Sequence, residues 1–205
     1  MTAAPESFPG FSSRFMNDLL SYFRMDAATF EKNEAIIRQF YMGDESFTQS
    51  IRSNLARYAS DFQYIHPTFK SVKRFVDNGC QRVYHFVYSI SGERSFVLER
   101  NNLTQSGLAV HADEVGYLFD VSYMGTPSAV DQLAIDRITT LWANFVKYGN
   151  PTPQPTELLP VTWEPATEET IPYLELDSEV RVGKRHNHAA IAFWDLFYEL
   201  NREAQ

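Results

Sequence analysis

The sequence predicts an α/β protein whose central sheet is incomplete and covered by packed helices. Three observations carry that reading. Residues 82–90, Arg-Val-Tyr-His-Phe-Val-Tyr-Ser-Ile, form a nearly continuous β-branched and aromatic run. A strand apolar on both faces belongs inside a sheet flanked by helices. Residues 128–149 then repeat apolar side chains every three or four positions, the pattern of an amphipathic helix. Last, convincing strands are too few for a self-sufficient sheet: 82–90, 173–176 and a third near 95–98. The chain therefore reads as part of a larger sheet.

The elements follow in order. Residues 1–13 are rich in Pro, Ser and Gly and read as a loop. Phe15, Leu19, Leu20 and Phe23, then Ile36, Ile37, Phe40 and Tyr41, give two helices ended by Gly43-Asp44. A third helix spans about 47–64, with Ile51, Leu55, Tyr58 and Phe62 on one face. Pro67 predicts an extended or turn conformation at His66, before a short helix over 69–76 that stops at Asn78-Gly79. After strand 82–90, residues 91–110 are a long connection. Ser128 with Asp131 marks the start of the helix bearing Val130, Leu133, Ile138, Leu141, Trp142, Phe145 and Val146. Gly149-Asn150-Pro151 stops it. A proline-rich loop to 172, an edge strand at 173–176 and a last helix over 188–202 complete the chain.

Composition excludes several classes. Aromatics make up 15% of the 205 residues, more than a disordered tail carries. A net charge of −8 repels phosphate backbones, and Lys73-Arg74 and Lys184-Arg185 are only short basic pairs, so no nucleic-acid partner is expected. The longest apolar run, Ala189 to Trp194, is six residues, far short of the ~18 a membrane helix needs, so no membrane partner is expected. The N-terminal stretch lacks the basic and apolar regions of a signal peptide; cytoplasmic and secreted locations both stay open. Cys80, the single cysteine, reads as a bystander thiol.

Five histidines are available for chemistry: His66, His85, His111, His186 and His188. None forms an H-x-x-x-H or H-E-x-x-H frame, so no metal site is expected. His186 and His188 read as surface capping groups, and His85 as a satisfied structural residue of the strand. His111 stands apart, on a loop beyond a buried strand, where α/β proteins place reactive groups. A loop histidine pairing with Asp113 or Glu114 is its structural alternative.

The stretch His111-Ala112-Asp113-Glu114-Val115-Gly116-Tyr117-Leu118-Phe119 resembles the segment bearing the catalytic histidine in type-B carboxylesterases and cholinesterases, with the insect esterases nearest in character. The resemblance continues in order through Leu141 to Pro153, Trp163-Glu164-Pro165, Tyr173 to Leu176 and Phe193-Trp194-Asp195. Upstream, Ser60-Asp61-Phe62 and Val83 to Tyr88 also resemble it. It covers most of the chain from about residue 40.

What the resemblance implies is the C-terminal part of an α/β-hydrolase fold with a Ser–Glu/Asp–His triad acting on small-molecule carboxylic esters, without metal or cofactor. A histidine takes the serine proton and returns it to the leaving alcohol, a carboxylate fixes its tautomer, and backbone amides hold the oxyanion. By resemblance His111 is the catalytic histidine. Glu6, 105 residues upstream in Pro5-Glu6-Ser7, is the candidate acid, although the family's following glycine is absent. Asp113 and Glu114 read as starting a short helix. No G-x-S-x-G nucleophile elbow occurs in these 205 residues. Residues 1–205 are therefore expected to be a C-terminal segment of a carboxylesterase domain, inactive alone, whose nucleophile lies on an N-terminal part. The alternative is a truncated, non-catalytic relative acting through protein–protein contacts. Asn102-Leu103-Thr104 is the one glycosylation sequon, of use only in a secreted protein.

Overall fold

A computed structural model describes residues 22–45, 52–100 and 109–204. They divide into two compact units, one built from the residues up to Ser71 and from Asn187 onward, the other from Val72–His186. Glu6, Asn102 and the predicted loop at 1–13 lie outside the described residues.

The first unit gathers α1 (Ala27–Met42), α2 (Arg52–Ser60) and the C-terminal helix α7 (His188–Leu200). Asp26 caps α1, its carboxylate accepting the Thr29 N–H at 2.7 Å. An aromatic core of Phe23, Tyr41, Tyr58, Phe62, Trp194 and Phe197 holds the unit together. The buried polar atoms form a chain: Trp194 Nε1 donates to the Tyr41 hydroxyl at 2.7 Å, which donates to Asp61 Oδ2 at 3.0 Å. Asn187 Nδ2 supplies the other Asp61 oxygen at 2.5 Å. Burial, then the Asp61 carboxylate, push the Tyr41 phenol well above its usual range.

The expectation at Pro67 is corrected. His66 is right-handed helical (φ −64°, ψ −47°) rather than extended, and α3 runs His66–Asp77 directly after a π-helical turn at Asp61–Ile65. Pro67 sits in the first turn of α3, where its missing N–H costs little, and the wider π turn gives the ring room. Gly79 stops the helix as anticipated, its N–H bonding to the Val76 carbonyl at 2.8 Å.

The second unit carries the sheet. The strand expected at 82–90 is confined to β1 (His85–Tyr88). It pairs in parallel with β2 (Pro172–Leu176), His85 opposite Tyr173. β2 pairs antiparallel with β3 (Val180–Lys184), Glu175 opposite Arg181. The order β1-β2-β3 makes 172–176 the middle strand of the three rather than an edge. Among the described residues β1 is paired on one side only.

The third strand expected near 95–98 is corrected to a helix, α4 (Phe96–Arg100). Its cause is local: the Ser95 hydroxyl accepts the Leu98 N–H at 3.2 Å, an N-cap geometry that winds the chain. A short α5 (Val115–Leu118) follows, then α6 (Ala129–Tyr148). Ser128 caps α6 through the Asp131 N–H, and Gly149 ends it at φ +66°, a left-handed conformation that favours glycine. Ala134, Ile138 and Leu141 pack with Trp163, Leu174 and Leu176 in the unit's core. The remaining apolar side chains of α6 divide differently from the sequence reading. Val130, Leu133, Phe145 and Val146 are exposed among the described residues, Val146 at 83%. His85 is buried, yet its Nδ1 finds no hydrogen-bond partner among them, so it is not the satisfied histidine expected. Burial, then neighbouring His186, lower its pKa to about 4.

Candidate active site

His111 sits exposed at the tip of a tight turn between α4 and α5. Asp113 closes that turn from both directions. Its own N–H donates to the Val110 carbonyl at 3.1 Å, and its Oδ2 accepts the Val110 N–H at 2.9 Å. The other oxygen, Oδ1, accepts the Ser95 hydroxyl at 2.5 Å. Asp113 is buried, 3% exposed, and both of its carboxyl oxygens are hydrogen-bonded there. Between them, Ala112 takes φ +70°, a left-handed conformation costing roughly 1 kcal/mol for a residue with a Cβ.

Two further ties hold the segment behind the turn. Buried Arg94 donates from Nε to the Gly116 carbonyl at 3.2 Å and from Nη1 to the Gly125 carbonyl at 2.5 Å. Tyr117 donates its hydroxyl to Asp131 Oδ1 at 2.7 Å, and Asp131 also accepts from the Ser128 hydroxyl at 2.8 Å. Burial and the Asp131 carboxylate raise the Tyr117 phenol above its ordinary range, so it stays a neutral donor. The result is an exposed imidazole on a short turn that the interior holds at four residues: Arg94, Ser95, Asp113 and Tyr117. Such a group can exchange a proton with a substrate or nucleophile presented to it.

The sequence reading of Asp113 is revised. Helix α5 begins at Val115, with Glu114 at the capping position and no side-chain capping bond; Asp113 closes the preceding turn instead. Its oxygens accept from the Ser95 hydroxyl and the Val110 N–H. Arg94, Ser95 and Tyr117 carry no sequence signal that marks them, because each acts across 14 to 31 residues. Asp131 was visible as a capping partner but not as the acceptor for Tyr117. Among the described residues no group of His, Cys, Asp and Glu could hold a metal ion, and no helix is long and apolar enough to cross a membrane.

The family model described as the carboxylesterase family matches residues 7–194. The chain belongs to the carboxylesterase family. Its mixed sheet with packed helices is accordingly a part of the α/β-hydrolase fold. Among curated relatives, esterase FE4 of Myzus persicae is 28% identical over 134 residues, which is 63% of this chain and 24% of that protein. The acylcarnitine hydrolase of Mus musculus is 26% identical over 162 residues, 78% of this chain and 27% of that protein. The chain thus spans about a quarter of the length of these relatives. The family match contains the His111 turn together with Arg94, Ser95, Asp113, Tyr117 and Asp131.

Proposed function

We propose that residues 1–205 form the C-terminal part of a serine-dependent carboxylic ester hydrolase, with His111 as its general base and Glu6 as the acid that orients it. The observation that carries this reading is the exposed His111 on a turn anchored through Asp113 and Ser95. A purely structural histidine has no need of such anchoring beneath it. In the reaction, His111 takes the hydroxyl proton of a serine supplied from outside these residues as the oxygen attacks the ester carbonyl. It returns the proton to the departing alcohol. Water then attacks the acyl-serine with His111 again as base, releasing the carboxylic acid and restoring the serine.

The described part of the sheet supports a larger domain. Among the described residues β1 is paired on one side only, and Val130, Leu133, Phe145 and Val146 of α6 lie exposed. The names of the relatives, an esterase and an acylcarnitine hydrolase, support carboxylic esters as the substrate class. The isolated chain should therefore give no turnover of short acyl esters above background. Joined to a family segment bearing G-x-S-x-G, it should hydrolyse them, and Glu6→Gln should abolish that activity. Full activity of Glu6→Gln would place the acid elsewhere. Turnover by the isolated chain that vanishes in His111→Ala would contradict the division of labour.

A further inference from the structure

We infer that Asp113 and Ser95 are positioning residues for His111, a role that rests on the general-base reading of that histidine. Asp113 is tied across the His111 turn. It reaches Val110 twice, accepting that residue's N–H on Oδ2 and donating its own N–H to that residue's carbonyl. The only residues between these two anchors are His111 and Ala112. The backbone of the histidine is therefore fixed at both sides by one side chain and its own main chain. Ala112 confirms that the turn is imposed, since it holds φ +70° without being glycine.

Ser95 gives this clamp its outside reference. Its Oγ–H donates to Asp113 Oδ1 while its Oγ accepts the Leu98 N–H that starts α4. The serine thus uses one hydroxyl as donor and acceptor at once, and neither role can be reversed. Asp113 is 3% exposed and Ser95 is 4% exposed, so water does not compete for either bond. The carboxylate needs both oxygens to be acceptors. An amide in its place would turn its NH2 either toward the Val110 N–H, losing that bond, or toward Ser95 Oγ, which would then accept twice and leave its own buried O–H without this acceptor. The clamp consequently couples the end of the chain leaving β1 to the location of the imidazole.

Placement errors of about 1 Å in a general base cost on the order of 10²-fold in rate. In the esterase assembled with its nucleophile segment, Asp113→Asn and Ser95→Ala should each lower kcat by about that factor with KM little changed. Ser95→Thr, which keeps the hydroxyl, should recover most of the rate. In the 205-residue chain itself, imidazole NMR cross-peaks of His111 should shift and broaden in Asp113→Asn and Ser95→Ala, while those of His186 and His188 stay in place. Should a variant fail to fold, amide exchange in the unaltered chain still decides: the Val110 N–H must be protected. Unmoved His111 cross-peaks in folded variants, or a Val110 amide exchanging at the open-chain rate, would overturn the inference. Failure of the general-base reading looks different. There His111 shifts in Asp113→Asn, but His111→Ala leaves ester hydrolysis intact.

Discussion

The Tyr117 hydroxyl donates to Asp131 Oδ1 across 2.7 Å, joining the short helix after His111 to the first turn of α6. Asp131 is fully buried and also takes the Ser128 hydroxyl at 2.8 Å and the Glu93 N–H at 3.3 Å. One carboxylate thus satisfies donors from three segments. Asp131→Ala strands them in the interior and should destabilise the second unit by about 3 kcal/mol. Tyr117→Phe removes one donor and should cost about 1–2 kcal/mol. Urea unfolding checks both, and a Tyr117→Phe variant less stable than Asp131→Ala would contradict the assignment of Asp131 as the hub.

Gly92 packs against this same pair, and a Cβ there would overlap Asp131 Oδ1 and the Tyr117 hydroxyl. Gly92→Ala should destabilise by roughly 1–3 kcal/mol, since the atoms in the way are buried and bonded. Gly125→Ala is the matched control, because a Cβ there meets nothing within 4 Å. Equal melting temperatures for the two variants would show that the close packing at Gly92 is not maintained.

Ala112 offers a gain instead of a loss. Its φ of +70° suits glycine, so Ala112→Gly should stabilise by about 0.5–1 kcal/mol, while Ala112→Val should destabilise. Thermal melts decide this, and a loss of stability in Ala112→Gly would mean that the turn does not hold its left-handed residue.

His85 sets an acid limit. Its pKa falls from 6.5 to about 4 in the folded chain, first through burial and then through His186. The unfolded chain therefore binds the proton more tightly. This contribution to stability is complete above about pH 6.5 and is lost as the pH falls toward 4, to a total of about 3 kcal/mol. His66 in the first unit is lowered too, by burial against the opposing Asp195, and acts in the same direction. Urea unfolding at pH 7 and pH 4.5 should show a smaller loss for His85→Phe than for the unaltered chain. An identical loss would mean that His85 is not the group responsible.

The features legible in the sequence were those fixed by neighbouring residues. Ser128, Asp131 and Gly149 bound α6 through bonds reaching four residues or fewer, while of the apolar positions that periodicity marked Ile138 and Leu141 are buried and Val130, Leu133, Phe145 and Val146 are exposed. The loop position of His111 was legible as well. What escaped depends on distance or on competition. Ser95 turned a β-prone run, Phe96-Val97-Leu98, into a helix by capping it. β3 was missed because only Val180 and Val182 are apolar in its first four residues; it forms by pairing with β2 and by the Tyr173 ring lying over Gly183. The role of Asp113 needed Ser95, 18 residues away. No spacing rule connects those two.

The general-base role of His111 is tested most directly by kcat/KM of the esterase assembled from this chain and a nucleophile-bearing segment, compared between the native residue and His111→Ala. The expected result is a loss of about 10⁴-fold or more per folded molecule, with the melting temperature unchanged. Retained activity in a His111→Ala protein, or activity lost only in proportion to lost folding, would contradict it.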